Sequence, residues 1–257
     1  MFIELNGVKH HYISRGEGPP VVLVHGLGGT LHAWQGVIDN LALHHHVVAL
    51  DLRGHGRSEH TKGAYSIKTW AGDVEALIGA LELPAVTLVA HSMGTLVAQH
   101  LAISKPEVVD NLVLLGGISY FEPPAKEVYA KRAEMVEADG MDALVDDWLP
   151  GALAPRTHAK LPQLTGLLRE LFLRNDPNSY AKSCRALAKA PSTKRESIGQ
   201  PTLLLVGDHD RSTPLRMTEE LHRDIPVSRV RVIPAAAHWA ALEQPDVIAA
   251  AILEFLT

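Results

Sequence analysis

Cys184 is the only cysteine in 257 residues, so no internal disulfide can form and packing alone must hold the chain. No apolar run approaches the roughly 18 to 20 residues of a membrane span, which argues against a membrane-embedded chain. Repeats and low-complexity tracts are missing too, which excludes a solenoid. There is no excess of positive charge: 24 Lys and Arg against 29 Asp and Glu leave a formal net charge of -5. Neither nucleic acid nor an anionic membrane surface is therefore an expected partner, and a small-molecule substrate is the default. The opening MFIELNGVKHHY puts Glu4, Lys9 and two histidines where a secretory signal needs an apolar centre. With the lone cysteine, this points to a cytoplasmic protein.

What is present is apolar substance, 46% of the residues, enough for a sizeable core. It falls into short runs at 20–26 (PVVLVHG), 46–51, 86–91, 111–117, 201–207 and 228–234 (SRVRVIP), which read as fully buried strands of a parallel sheet. Helical periods separate them, such as Trp70, Val74, Leu77 and Ile78. This alternation predicts an α/β fold with a mostly parallel, doubly wound sheet. FIELNGVKHHYIS instead reads as an antiparallel hairpin about Asn6-Gly7, ahead of the parallel core. Between 118 and 198 the strand signal stops while helical periods continue. The expected organisation is a core of 1–117 and 199–257 interrupted by an all-helical insertion, 118–198. Residues 122–147 carry eight acids against three bases, and residues 156–195 carry nine bases against two acids. Either these are solvated faces that partly pair with each other, or the basic half attracts an anionic substrate.

The stretch VAHSMGT (89–95) joins a strand-like run to a helical one. A nucleophilic serine on such a strand-to-helix turn needs small residues two before and two after it. Around Ser92 these are Ala90 and Gly94. The alternative is a serine that merely caps the helix beginning at Met93. A hydroxyl attacks nothing at neutral pH without a base to take its proton and an acid to orient that base. His238, in AAAHWA, and Asp208 and Asp210, in GDHDRSTP, both fall just beyond strand-like runs, where parallel sheets gather their sites.

Four motifs in order, HGLGG (25–29), DLRGHGRS (51–58), AHSMGT (90–95) and GDHDRSTP with AAHWAALEQPD, make the chain resemble the α/β-hydrolase fold family with a helical cap. Ala90 departs from the family's usual glycine. The resemblance implies a Ser92–His238–Asp210 triad, because the family's acid is the last residue of a Gly-x-x-Asp turn, and leaves Asp208 supporting that turn. It further implies an oxyanion hole from the backbone N–H groups of Leu27 and Met93, and no cofactor or metal. HGLGGTL has neither the spacing nor the lysine of a phosphate loop.

HSMGTLVAQHLA, the cap segment around YAKSCRAL and the His-Trp pair resemble the 3-oxoadipate enol-lactonase branch, which general carboxylesterases largely share. The expected activity is hydrolysis of a small ester or enol-lactone. The rivals are a meta-cleavage-type carbon–carbon bond hydrolase, a cofactor-free perhydrolase or haloperoxidase, and a non-catalytic small-molecule receptor. Candidate substrate contacts are Trp239, Arg185 and Trp148, although Trp239 and Trp148 also read as packing. His44, His45 and His46 read as solvated loop residues rather than metal ligands, and His25, His55 and His91 as structural.

Overall fold

The computed structural model describes residues 1–257. β1 (Phe2–Leu5) and β2 (Val8–Arg15) form the expected hairpin, with Leu5 opposite Val8. Asn6 and Gly7 between them both take positive φ, 52° and 71°, the backbone of a tight hairpin turn. β3 (Pro20–Val24), β4 (His46–Leu50), β5 (Val86–His91), β6 (Val109–Leu115), β7 (Thr202–Gly207) and β8 (Ser228–Ile233) are mutually parallel, and β2 joins them antiparallel to β4. The spatial order is β1-β2-β4-β3-β5-β6-β7-β8.

Strand periodicity sends alternate residues to two buried faces. Val22, Val24, Leu88 and Leu112 face α2 (Ile67–Ala80) and α3 (Met93–Ser104), while Val21, Leu23, Val89 and Val113 face α1 (Gln35–Leu41) and the C-terminal helix Pro245–Leu256. β8 departs from the expectation of a fully buried strand. Arg229, Val230, Arg231 and Val232 are exposed, because β8 ends the sheet and has a hydrogen-bonded neighbour on one side only.

Five helices follow one another between β6 and β7: α4 (Pro123–Asp139), α5 (Asp142–Ala152), α6 (Pro155–Lys160), α7 (Pro162–Leu173) and α8 (Pro177–Ala188). Four of them begin with proline, whose missing N–H costs nothing in a first helical turn. Asp176 caps α8 by accepting from the Ser179 N–H at 2.8 Å. Val136, Leu144, Leu168, Phe172 and Cys184 form this layer's own core, which meets the sheet layer at Ala33 and Trp239. The lopsided charges meet each other here: Arg185 pairs with Glu137 and Arg169 with Asp146 across the two halves. No helix is long and apolar enough to cross a membrane.

Candidate active site

β5 ends at His91 and α3 starts at Met93, which leaves Ser92 alone on the turn with φ 51° and ψ -119°. A non-glycine residue in this region is strained and persists only when its surroundings enforce it. They do so by crowding. A Cβ on Gly94 would come within 2.7 Å of the His25 carbonyl oxygen, and one on Gly26 within 2.9 Å of the Ser92 Cβ. Ala90 lies two residues earlier on β5, fully buried between Val24 and Leu114 of the adjacent strands, and its methyl is accommodated in the core. Ser92 occupies the N-cap position of α3 but makes no capping bond.

Its hydroxyl is engaged elsewhere, 3.0 Å from Nε2 of His238. On the far side of that ring, Nδ1 lies 2.9 Å from Oδ2 of Asp210. Asp210 sits in the turn after β7, where Oδ1 accepts the Ser212 and Thr213 N–H groups at 2.9 and 2.8 Å and Oδ2 accepts the Thr213 hydroxyl at 2.8 Å. Burial alone would raise this carboxyl, yet the His238 imidazole and the Thr213 donors hold it below the usual carboxylate range. Asp208 is exposed and faces away; its Oδ1 receives the Ala236 N–H at 3.3 Å, bracing the loop that leads to His238. Gly116, at the end of β6, gives room for this cluster, since a Cβ there would stand 2.9 Å from the Thr213 hydroxyl.

Ser92 and His238 open into a cavity of about 290 Å³. Leu27 lines it beside Ser92, on the tight loop in which the Gly29 N–H reaches the Gly26 carbonyl at 3.1 Å. Met93 occupies the first position of α3, where the N–H has no preceding helical carbonyl to bond. The cap holds this loop from above. Asn175 donates to the Gly28 carbonyl at 3.0 Å, and Phe172 and Tyr180 press where a Gly28 Cβ would be.

Trp148 and Trp239 both line the cavity while packing in the cap core, with Trp148 stacked on Phe172 at 4.1 Å between ring centroids. Arg185 does not belong to this site. It is engaged by Glu137 at 2.5 Å and lines a separate surface pocket with Lys68, His100 and Lys189. Sequence reasoning passed over Arg132 and Arg211, which do line the cavity. The signal was present for one of them: Arg132 falls on the Val128–Tyr129–Val136 stripe of α4, at helical spacing from each.

Glu243 was also passed over. It follows Trp239 on a short helical turn and is buried without a cation. Its Oε2 accepts the Ala154 N–H and the Thr157 hydroxyl at 2.8 and 2.5 Å, and its Oε1 accepts the Ala237 N–H at 2.7 Å. One carboxylate thus ties the cap to the residue preceding His238. His25 is held by the Gly26 carbonyl and the Leu52 N–H, and burial lowers its pKa. Of the three adjacent histidines, His46 bonds Ser14 at 2.7 Å, and they form no cluster suited to a metal.

A strained serine after the third core strand, an acid after β7 and a histidine after β8 are the layout of one fold family. The family model for the alpha/beta hydrolase fold matches residues 19–245, and the chain belongs to that family. Among relatives, it is 28% identical to 3-oxoadipate enol-lactonase 2 of Acinetobacter baylyi, over 93% of this chain and 90% of that one. The crystal structure of the enol-lactonase from Burkholderia xenovorans LB400 superposes with TM-score 0.94 at 29% identity, covering 100% of this chain and 99% of that one. A thermophilic esterase from Thermogutta terrifontis, with malate bound, also gives 0.94 at 28% identity, covering 100% and 97%.

Proposed function

We propose that the protein is a serine hydrolase that cleaves a small carboxylic ester or lactone by acyl transfer to water, the enol-lactones being the nearest substrate type. The observation that carries this reading is the continuous hydrogen-bond line from Ser92 Oγ through His238 to Asp210. The enol-lactonase and esterase relatives support it. Ser92 attacks the carbonyl carbon while its proton passes to His238 Nε2. Asp210 fixes the opposite nitrogen as N–H and stabilises the imidazolium that results. The carbonyl oxygen turns towards the Leu27 and Met93 N–H groups, which contribute about 2.7 to 4 kcal/mol each where such donors have been removed. His238 then delivers its proton to the leaving oxygen as the C–O bond breaks. Water, deprotonated by the same nitrogen, releases the acid and restores Ser92. All groups come from the chain itself.

A panel of p-nitrophenyl esters, lactones and enol-lactones, assayed on wild type and on Ser92→Ala, tests the reading. Turnover that depends on Ser92 is the expected result. Hydrolysis of a vinylogous diketone but of no ester or lactone would reassign the reaction to carbon–carbon bonds. A product requiring hydrogen peroxide would make it a perhydrolase. Failure on every activated ester would leave a receptor.

A further inference from the structure

The loop that carries Leu27 is held from two sides, and one of them is the cap. From the core side, His25 accepts the Leu52 N–H at Nε2, 3.0 Å away, so its hydrogen is on Nδ1, which donates to the Gly26 carbonyl at 2.8 Å. From the cap side, the amide of Asn175 lies in the corner between α7 and α8. Its Nδ2 is 3.0 Å from the Gly28 carbonyl oxygen and 3.1 and 3.0 Å from those of Leu171 and Phe172. Three acceptors surround it, so only the NH2 end of the amide fits there. One hydrogen serves the last turn of α7, and the other crosses to the loop. Phe172 and Tyr180 close on the same spot: Gly28 has φ 69°, and a Cβ there would come within 2.9 Å of the Phe172 ring and 3.0 Å of the Tyr180 ring.

We propose that Asn175 is a positioning residue for the oxyanion hole, acting on the Leu27 N–H through two peptide units. In a planar trans peptide the C=O and N–H point in opposite directions. The Gly28 carbonyl that accepts from Asn175 shares its peptide with the Gly29 N–H, which donates to the Gly26 carbonyl at 3.1 Å. The Gly26 carbonyl in turn shares its peptide with the Leu27 N–H, which has no partner within the chain and is free to meet a substrate oxygen. The bonds run head to tail, so each one accepted by a carbonyl polarises the N–H on the other side of the same peptide. Met93 needs no such support, because its N–H is fixed by the first turn of α3. Leu27 belongs to no helix or strand, and its donor is aimed only by what touches the loop. This rests on the hydrolase reading above and gives the cap a duty in it: the hole is complete only while the corner between α7 and α8 is seated on the loop.

A pair of inhibitors separates aim from packing. Trifluoromethyl butyl ketone adds Ser92 Oγ at its carbonyl carbon, passes the hydroxyl proton to His238 and leaves an O⁻ in the hole, whereas the corresponding secondary alcohol fills the same space without forming an oxyanion. The inhibition constants of both are measured with kcat/KM for p-nitrophenyl pentanoate on wild type, Asn175→Ala and Asn175→Leu. End-point labelling with a fluorophosphonate counts the competent sites, so that misfolded protein does not enter the rates. Asn175→Ala should lower kcat/KM by about 10- to 100-fold, and raise the inhibition constant of the ketone by the same factor. Affinity for the alcohol should change by less than about threefold. Asn175→Leu refills the volume without restoring the donor and should lose as much as Asn175→Ala. Wild-type kcat/KM in Asn175→Ala, recovery in Asn175→Leu, or equal losses for ketone and alcohol would each overturn the positioning role while leaving the hydrolase reading intact. Wild-type protein that neither turns over the ester nor binds the ketone more tightly than the alcohol would overturn the hydrolase reading and this inference with it.

Discussion

His91 donates from Nε2 to the main-chain carbonyl of His238 across 2.7 Å, and the two imidazole rings lie 4.7 Å apart between centroids. A carbonyl only accepts, so the hydrogen of His91 is on Nε2. Burial pushes His91 down to about 3, and the neighbouring His238 acts in the same direction. Two histidines in contact are thereby given different jobs. His91 stays neutral and holds the backbone, which leaves His238 for the proton transfer proposed above. His91→Ala should lower kcat by about a hundredfold, the scale of a small misplacement of a reacting group, with KM nearly unchanged. Steady-state kinetics on a neutral ester check this, and an unchanged kcat would remove His91 from the positioning of His238.

The same burial makes stability depend on pH. An unfolded histidine titrates near about 6.5, whereas folded His91 titrates at about 3. Between those values the unfolded chain binds a proton that the folded chain refuses, so the contribution is complete above the unfolded value and is lost as pH falls. The slope for one proton is about 1.4 kcal/mol per pH unit. His91→Gln should flatten the decline in stability between about pH 6 and 4 by one proton's worth, read from urea unfolding across that range. An identical slope in the variant would contradict it.

Asp210→Asn should lower kcat by about four powers of ten, because an amide at this position favours the wrong tautomer of His238. Asp208→Asn should cost less than about tenfold, since the Asp208 carboxylate meets only the Ala236 N–H and, at 3.9 Å, the exposed His209 ring, and does not reach His238. Comparable losses in the two variants would move the orienting role to Asp208.

Glu243→Ala leaves the buried Ala154 and Ala237 N–H groups without their acceptor. The expected loss of stability is about 2 to 5 kcal/mol, measured by denaturant unfolding. Glu243→Gln keeps an acceptor oxygen and should recover part of it. Because Ala237 precedes His238, kcat should fall in both variants at temperatures where they remain folded. Wild-type stability in Glu243→Ala would mean that the cap and the His238 loop are joined by packing alone.

The fold was legible because each of its elements has a local cause. The buried runs of β3, β5 and β7 admit only a two-faced sheet, and Asn6-Gly7 supplies the two positive φ angles its hairpin needs. The residues around the turn at Ser92 were legible for a similar reason, since Gly94 and Gly26 answer to contacts of under 3 Å that no larger residue survives. Edge position was not legible in SRVRVIP, because nothing in that segment states that a ninth strand is missing. Charge in the cap was misleading for a physical reason: counting bases picks out Arg185, but only the folded arrangement shows which bases already have partners. Glu137, 48 residues away in sequence, neutralises Arg185, while Arg132, in the acid-rich half, meets no acid.

Peptide mapping by mass spectrometry after treatment with a fluorophosphonate tests the central claim, that Ser92 is the residue acylated during turnover. Expected is a single adduct on Ser92, blocked by prior reaction with a slow ester and absent from Ser92→Ala, whose kcat should be lower by about five to six powers of ten. An adduct on a different serine, or hydrolysis by Ser92→Ala at near wild-type rate, would contradict it.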